Sequence, residues 1–303
     1  MHKPSGIAIV ERQLGPLIRW LTRRAPAPVA TTALAVPNWT LAVVVPLVEG
    51  PALPRSFLSQ FLRDRLADDE GILLVCGAEW AAGDVAGLQR LVGFMGLRAC
   101  VLPAPEAGEA LTALAVAAAA MPGTAWFLLA DPATAGAAPG WRAALRAAAI
   151  QARTPSVVCP TLLYEDFSIR FAGAATFSAL PVAPYAVVQR PLAGMPAALA
   201  DDGAPRPAAL GTLACCLLPR AALKVLCRAR AGLSTAFGQE TAAFLRLQAA
   251  GFGCLWVPRA RVFAPEIAAP AIGVVGRLVD GWHLRAAHAA GEFAAAPHTG
   301  TEG

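Results

Sequence analysis

The sequence predicts an α/β protein built on a mostly parallel, doubly wound sheet. Three observations lead there. Short, unbroken apolar runs recur along the first half of the chain, long enough for a buried strand and bounded by Gly or Pro. Segments of helical periodicity alternate with them, as a parallel sheet covered on both faces requires. The chain has 303 residues, 56% hydrophobic and 15% charged. That is enough to bury a sizeable core.

The elements follow in order. LAVVVPLV, Leu41 to Val48, reads as the first buried strand. SFLSQFLRDRL, Ser56 to Leu66, has the helical period, and GILLVCG, Gly71 to Gly77, is the second strand. A helix over Ala86 to Gly96 leads to a third strand, Leu97 to Pro103, and an Ala-rich helix spans about Ala107 to Ala120. AWFLLAD, Ala125 to Asp131, is the fourth strand; Pro139 then opens another helix near its first turn. Ser156 to Gly173 reads as strand, turn, strand, with Asp166 in the hairpin turn. From Thr176 to Pro207 the chain is rich in Pro, Ala and Gly and has no period, which predicts a long irregular connection. Between Gly211 and Pro258 come a buried apolar segment, a Gly238-Gln239-Glu240 loop, a helix with Leu245, Arg246 and Leu247, a Gly turn, and a strand closed by Pro258.

Three regions are expected: a basic amphipathic helix and Pro/Ala linker over residues 1–40, the α/β domain over 41–266, and a short C-terminal helix and tail over 267–303. In the first helix Arg12, Arg19, Arg23 and Arg24 accompany Leu14, Leu17, Ile18, Trp20 and Leu21. Such a helix either packs on the main domain or lies on an anionic membrane surface through residues 7–24.

Composition excludes several classes. The uncharged run between Arg24 and Glu49 holds four prolines, and that between Glu109 and Asp131 is split by Pro122-Gly123, so neither predicts a membrane span. No charged start feeds an apolar core, so no signal peptide is expected. The seven cysteines form no C-x-x-C pair and read as buried thiols of a reducing cytosol. No histidine lies between Leu41 and Glu266, which argues against a His-dependent triad or zinc site there. The chain lacks a P-loop, a G-x-G-x-x-G and a G-x-S-x-G. Its net charge of +5 comes without the basic-aromatic interleaving of a nucleic-acid surface.

Five features arrive in a recognisable order: VVVP at Val43 to Pro46, PAPEAG at Pro103 to Gly108, LLADPATAGAAPGW at Leu128 to Trp141, CPTLLYEDFSIRFAG at Cys159 to Gly173, and the Gly211–Pro258 block. Over about residues 41 to 266 this set resembles the family 2 glycosyltransferases, which have the GT-A fold. The resemblance implies transfer of a sugar, with inversion, from a nucleotide-diphosphate sugar to a glycan or lipid-linked acceptor. It also implies a cytoplasmic protein, peripheral on the inner face of the membrane. In such chemistry a divalent cation, Mg²⁺ or Mn²⁺, offsets the charge of the leaving diphosphate. A carboxylate takes the proton of the acceptor hydroxyl.

Mapped by that resemblance, Glu240 is the candidate base and Asp131 the candidate metal ligand and donor contact. Glu49, Glu79 and Arg246 are further candidate donor contacts. Several positions depart from the family pattern. Ala133 stands where the second metal carboxylate is expected, and Cys76-Gly77-Ala78-Glu79 where an Asp binds the nucleotide base. Gln239-Glu240 replaces Glu-Asp. Each residue also has a structural reading: Asp131 as a turn cap, Glu240 as a first-turn acid favoured by the helix dipole, Arg246 in an ion pair, Glu49 and Glu79 as exposed loop acids. Two functions therefore stand side by side, a glycosyltransferase and a GT-A domain that binds or scaffolds without turnover. A doubly wound protein outside the family is the third reading.

Overall fold

A computed structural model describes residues 37–48, 55–105, 107, 109–176, 188–200, 203–226, 236–264, 280–281, 283–284, 286–287 and 290–291. The expected N-terminal helix and Glu49 lie outside these residues.

The first half alternates as the apolar runs predict. Strands β1 (Leu41–Leu47), β2 (Glu70–Cys76), β3 (Ala99–Pro103) and β4 (Trp126–Ala130) are separated by helices α1 (Arg55–Arg63), α2 (Ala82–Phe94) and α3 (Ala110–Ala120). Every residue of β1 and β2 is buried, which is why their runs are continuous rather than alternating. Helix α2 starts four residues before its periodicity shows, with Asp84 in its first turn where the helix dipole favours an acid.

After β4 come the short β5 (Ala135–Gly136), helix α4 (Trp141–Gln151), β6 (Ser156–Leu163) and β7 (Ile169–Phe171). The irregular stretch holds β8 (Ala175–Thr176), β9 (Val188–Gln189) and β10 (Arg206–Pro207). Then follow β11 (Cys215–Pro219), α5 (Arg220–Leu226), α6 (Ala236–Ala249) and β12 (Gly253–Phe263).

The main sheet has the order β10-β12-β6-β11-β4-β1-β2-β3, with β5 on β12 and β7 on β6; β8 and β9 pair separately. Strands β1 to β4 are parallel to one another, and β6 is parallel to β12. Strand β11 runs antiparallel to both β4 and β6 and joins the two parallel blocks. Right-handed crossovers from β1 to β2 to β3, then back to β4, put α3 on the face opposite α1 and α2. Helices α3, α5 and α6 pack successively on one another, and Arg142 of α4 pairs with Asp64 just beyond α1. One large core runs between the layers.

Two expectations are corrected. Gly238, Gln239 and Glu240 do not form a loop; they sit in the first turns of α6, which begins at Ala236. Pro258 does not end its strand. The register with β6 shifts between Val257 and Arg261, and this irregularity absorbs the missing proline N–H before β12 runs on to Phe263. The Thr161 hydroxyl donates to the Pro258 carbonyl and fixes that irregularity.

At the amino edge of the sheet, opposite the strand ends that matter for ligands, Arg142 is buried at 3% exposure. Its guanidinium meets Asp64 at 3.2 Å and Glu70 at 3.6 Å and donates to the carbonyls of Asp64 and Arg65. It also lies over the Phe61 ring. Beside it Arg146 pairs with Asp69 and Glu70. This network ties α4 to the start of β2.

Candidate functional site

Ligands of doubly wound sheets bind beyond the carboxyl ends of the parallel strands, where the strand order reverses. Here that point lies between β1 and β4, and Asp131 is the first residue after β4. Because β11 runs backwards, its approach, Gly211 to Ala214, arrives at the same edge. Cys215 pairs with Ala130, the residue before Asp131.

A chain of hydrogen bonds links the two carboxylates singled out by the sequence. The Asp131 N–H donates to the Ala214 carbonyl at 2.9 Å. The Ala214 N–H donates to the Thr212 hydroxyl at 3.2 Å, and that hydroxyl bonds the Glu240 carboxylate. The Leu213 N–H donates to Glu240 Oε1 at 2.5 Å. Glu240 thus reaches from α6 to the strand ends, and its position is set by backbone as well as by a hydroxyl.

The Glu240 stem is partly exposed while its carboxyl end is turned inward. Loss of solvent raises its pKa above the ordinary 4.5; the Thr212 and Leu213 hydrogen bonds and the charges of Arg190 and Arg170 pull the other way. Arg190 and Glu240 line a narrow cleft with Phe171, Ala174, Leu210 and Thr241. The cleft measures about 10 Å³, the room of a single water. Arg170 donates from Nη1 to the Ala264 carbonyl and so joins β7 to the end of β12.

Asp131 occupies a tight turn of its own. Its Oδ1 accepts the Ala133 N–H at 2.8 Å, and its carbonyl accepts both the N–H and the hydroxyl of Thr134. The buried Gln60 of α1 clasps this loop, donating to the Thr134 carbonyl and accepting the Gly136 N–H at 2.7 Å. One Asp131 oxygen is therefore committed to the turn. Among the described residues no group of three or more His, Cys, Asp or Glu could hold a metal ion. Alone, these residues do not make a divalent-cation site.

The other candidates are dispersed. Glu79 is exposed in the loop after β2, two strands from β4 and so about 10 Å across the sheet. Its neighbour Gly77 is buried, and a Cβ there would meet the Ala107 carbonyl at 2.9 Å, so this loop is packed shut where a nucleotide-binding Asp was sought. Arg246 lies six residues beyond Glu240 on α6, about 9 Å further from the carboxyl edge. Asp166 accepts the N–H and hydroxyl of Ser168, the hairpin-turn role expected of it. The six described cysteines are in no disulfide. Burial raises the Cys159, Cys215 and Cys216 thiols well above their ordinary value and Cys76 to about 12, which makes them poor nucleophiles.

The chain is similar to the crystal structure of GalNAc-T7 with UDP, GalNAc and Mn²⁺, at a TM-score of 0.59 over 90% of this chain. The fold is that of the GT-A glycosyltransferases. Sequence identity is 13%, and the chain spans 55% of that structure's length. Two further solved structures are similar at lower scores. They are the mannosyltransferase PcManGT from Pyrobaculum calidifontis with GDP-Man and Mn²⁺ (TM-score 0.49, 15% identity, 94% of this chain and 86% of that one) and S. aureus TarS 1-349 (0.47, 12%, 75% and 60%). No protein-family model matches the chain, and no curated protein is significantly similar to it.

Sequence reasoning missed Thr212, Arg170 and Arg190. They lie 28, 70 and 50 residues before Glu240, respectively, so no local spacing joins them to it.

Proposed function

We propose that this chain is a glycosyltransferase. It would move a sugar from a nucleotide-diphosphate donor to an acceptor hydroxyl, with Glu240 as the general base. One observation carries the reading. A glutamate with a raised pKa faces a water-sized cleft at the carboxyl edge of a GT-A sheet, held from two sides by Leu213 and Thr212. A base needs a pKa lifted toward the working pH, and loss of solvent supplies that lift. The cleft has room for one hydroxyl beside the carboxylate. Direct attack by that hydroxyl on the anomeric carbon breaks the bond to the diphosphate oxygen, which leaves with the electron pair as the nucleoside diphosphate; the hydroxyl proton passes to Glu240 and the configuration is inverted. Arg170 and Arg190 put positive charge beside the Glu240 carboxylate and favour its ionised, proton-accepting form.

The family 2 likeness of the motifs supports a glycan or lipid-linked acceptor. It also supports a cytoplasmic setting, with peripheral membrane contact through residues 7–24. No helix among the described residues is long and apolar enough to cross a membrane. If Mg²⁺ or Mn²⁺ takes part, Asp131 is the residue to hold it, and the donor diphosphate must supply most of the other ligands.

A second reading, a GT-A domain that binds without turnover, is favoured by one observation: the Asp131 turn uses its own carboxylate and offers Ala133 beside it. The test is a panel of UDP- and GDP-sugars with and without Mn²⁺, read by calorimetry and by nucleotide release. Metal-dependent binding with turnover supports the transferase. Binding without turnover selects the second reading, and neither binding nor turnover overturns both.

A further inference from the structure

Described residues beyond position 279 pack against the start of α6. Among the described residues there, Asp280, Gly281, His283, Leu284, Ala286 and Ala287 are helical, and Leu284 is buried. Asp280 is 1% exposed, an unusual place for a carboxylate. Its partner surface is the start of α6. A Cβ built on Gly238 would lie 2.3 Å from Asp280 Oδ2 and 2.7 Å from its Cγ. Glycine at position 238 is thus what lets this carboxylate reach the helix backbone.

Gly238 is the third residue of α6, within the turn whose N–H groups have no partner inside the helix. The first turn carries no acidic residue of its own. A carboxylate packed there is stabilised both by those N–H groups and by the helix dipole. Glu240 follows two residues later, about 3 Å along the axis. The start of α6 is therefore gripped at two points, by Asp280 from one side and by the Glu240 bonds to Leu213 and Thr212 from the other.

We propose that Asp280 is a positioning residue: its carboxylate packs on the first turn of α6 and thereby fixes the carboxylate of Glu240 at the sheet edge. This rests on the reading of Glu240 as the base. It adds that the site is incomplete without a segment 40 residues downstream of that base.

The full chain is compared as wild type, Asp280→Ala, Asp280→Asn and Gly238→Ala, with Arg146→Gln as a control that weakens the opposite edge. Amide hydrogen exchange over residues 236–240 and the NMR titration of the Glu240 carboxyl are read alongside turnover of UDP-GalNAc and GDP-mannose. Loss of the anchor in Asp280→Ala should speed exchange there about five-fold or more. It should move the Glu240 titration back toward the ordinary value, with Arg170, Arg190, Cys159 and Cys216 still around it. It should also cut kcat about ten-fold or more while KM for the donor changes little. Asp280→Asn keeps an acceptor oxygen and should recover most of each effect. Gly238→Ala displaces the carboxylate and should mimic Asp280→Ala, which covers the case of a variant that fails to fold. Arg146→Gln should leave residues 236–240 untouched.

Unchanged exchange and an unchanged titration in both Asp280→Ala and Gly238→Ala would overturn the proposal. A wild type that releases no nucleotide from either donor would overturn the catalytic reading instead, and the exchange and titration would still decide the role of Asp280.

Discussion

Replacing Glu240 by Gln and by Ala separates its proposed role as a base from its structural role. Gln retains a carbonyl oxygen for the Leu213 N–H and the Thr212 hydroxyl but cannot take a proton. Loss of a general base slows such reactions about 10²- to 10⁴-fold, which is about 2.7 to 5.4 kcal/mol of barrier. The effect on stability has the opposite sign. The folded pKa of Glu240 is raised above its unfolded value, so its contribution to stability is fully present below the unfolded pKa and is lost as pH rises through the folded one. At neutral pH the neutral Gln should therefore unfold no lower than wild type. Ala leaves the part-buried Leu213 N–H without its acceptor, at a cost of about 1 kcal/mol. The assays are nucleotide release across pH 5 to 8 and thermal unfolding at both ends of that range. Wild-type activity should fall on the acid side at a pH above the ordinary glutamate value. Glu240→Gln turning over at the wild-type rate would remove Glu240 from the mechanism. Glu240→Gln unfolding as low as Glu240→Ala would show that the contacts drawn for its carboxylate are wrong.

Other outcomes follow from the same geometry. Arg142→Met strips the buried Glu70 and the partly exposed Asp64 of their shared cation and should cost about 3 kcal/mol in denaturant unfolding. Asp69 has a lowered pKa, chiefly from its hydrogen bond with Arg146, so its contribution is present above its unfolded value of 3.8 and lost as pH falls through the folded one. Since Asp69 is 40% exposed, comparison with Asp69→Asn should show at most about 1 kcal/mol, shrinking with salt. Gly211→Ala puts a methyl 2.4 Å from the Phe244 ring and 2.7 Å from Cys159 Sγ, and should cost about 1–3 kcal/mol while distorting the cleft.

What could be read from the sequence was what local pattern encodes. β1 and β2 are buried on both faces, so their apolar runs are unbroken and bounded within a residue of the observed ends. The turns of Asp131 and Asp166 were legible because Asp bonds its own backbone two residues on. The start of α6 was not legible. Its first turn holds no acid of its own, and the carboxylate packed against it comes from position 280, so Gly238-Gln239-Glu240 looked like loop. Pro258 misled for a related reason: a proline tolerated in an irregular stretch looks, in sequence, like a strand end. The surroundings of Glu240 are long-range throughout, drawn from β7, the stretch after β9 and the approach to β11.

The reversed strand β11 has a consequence for how the protein is made. It pairs Cys215 with Ala130 and Leu217 with Val158, contacts that close loops of 85 and 59 residues. A chain emerging from the ribosome can finish β1 to β4, and present Asp131, well before Leu213 or Glu240 exists. Polypeptides that stop short of β11 carry half a site on a sheet whose β4 edge is still open, and such edges recruit other strands. Closing that seam comes first and completing the cleft second, because Glu240 and Thr241 lie beyond β11, so the sticky edge is covered before the cleft has its carboxylate.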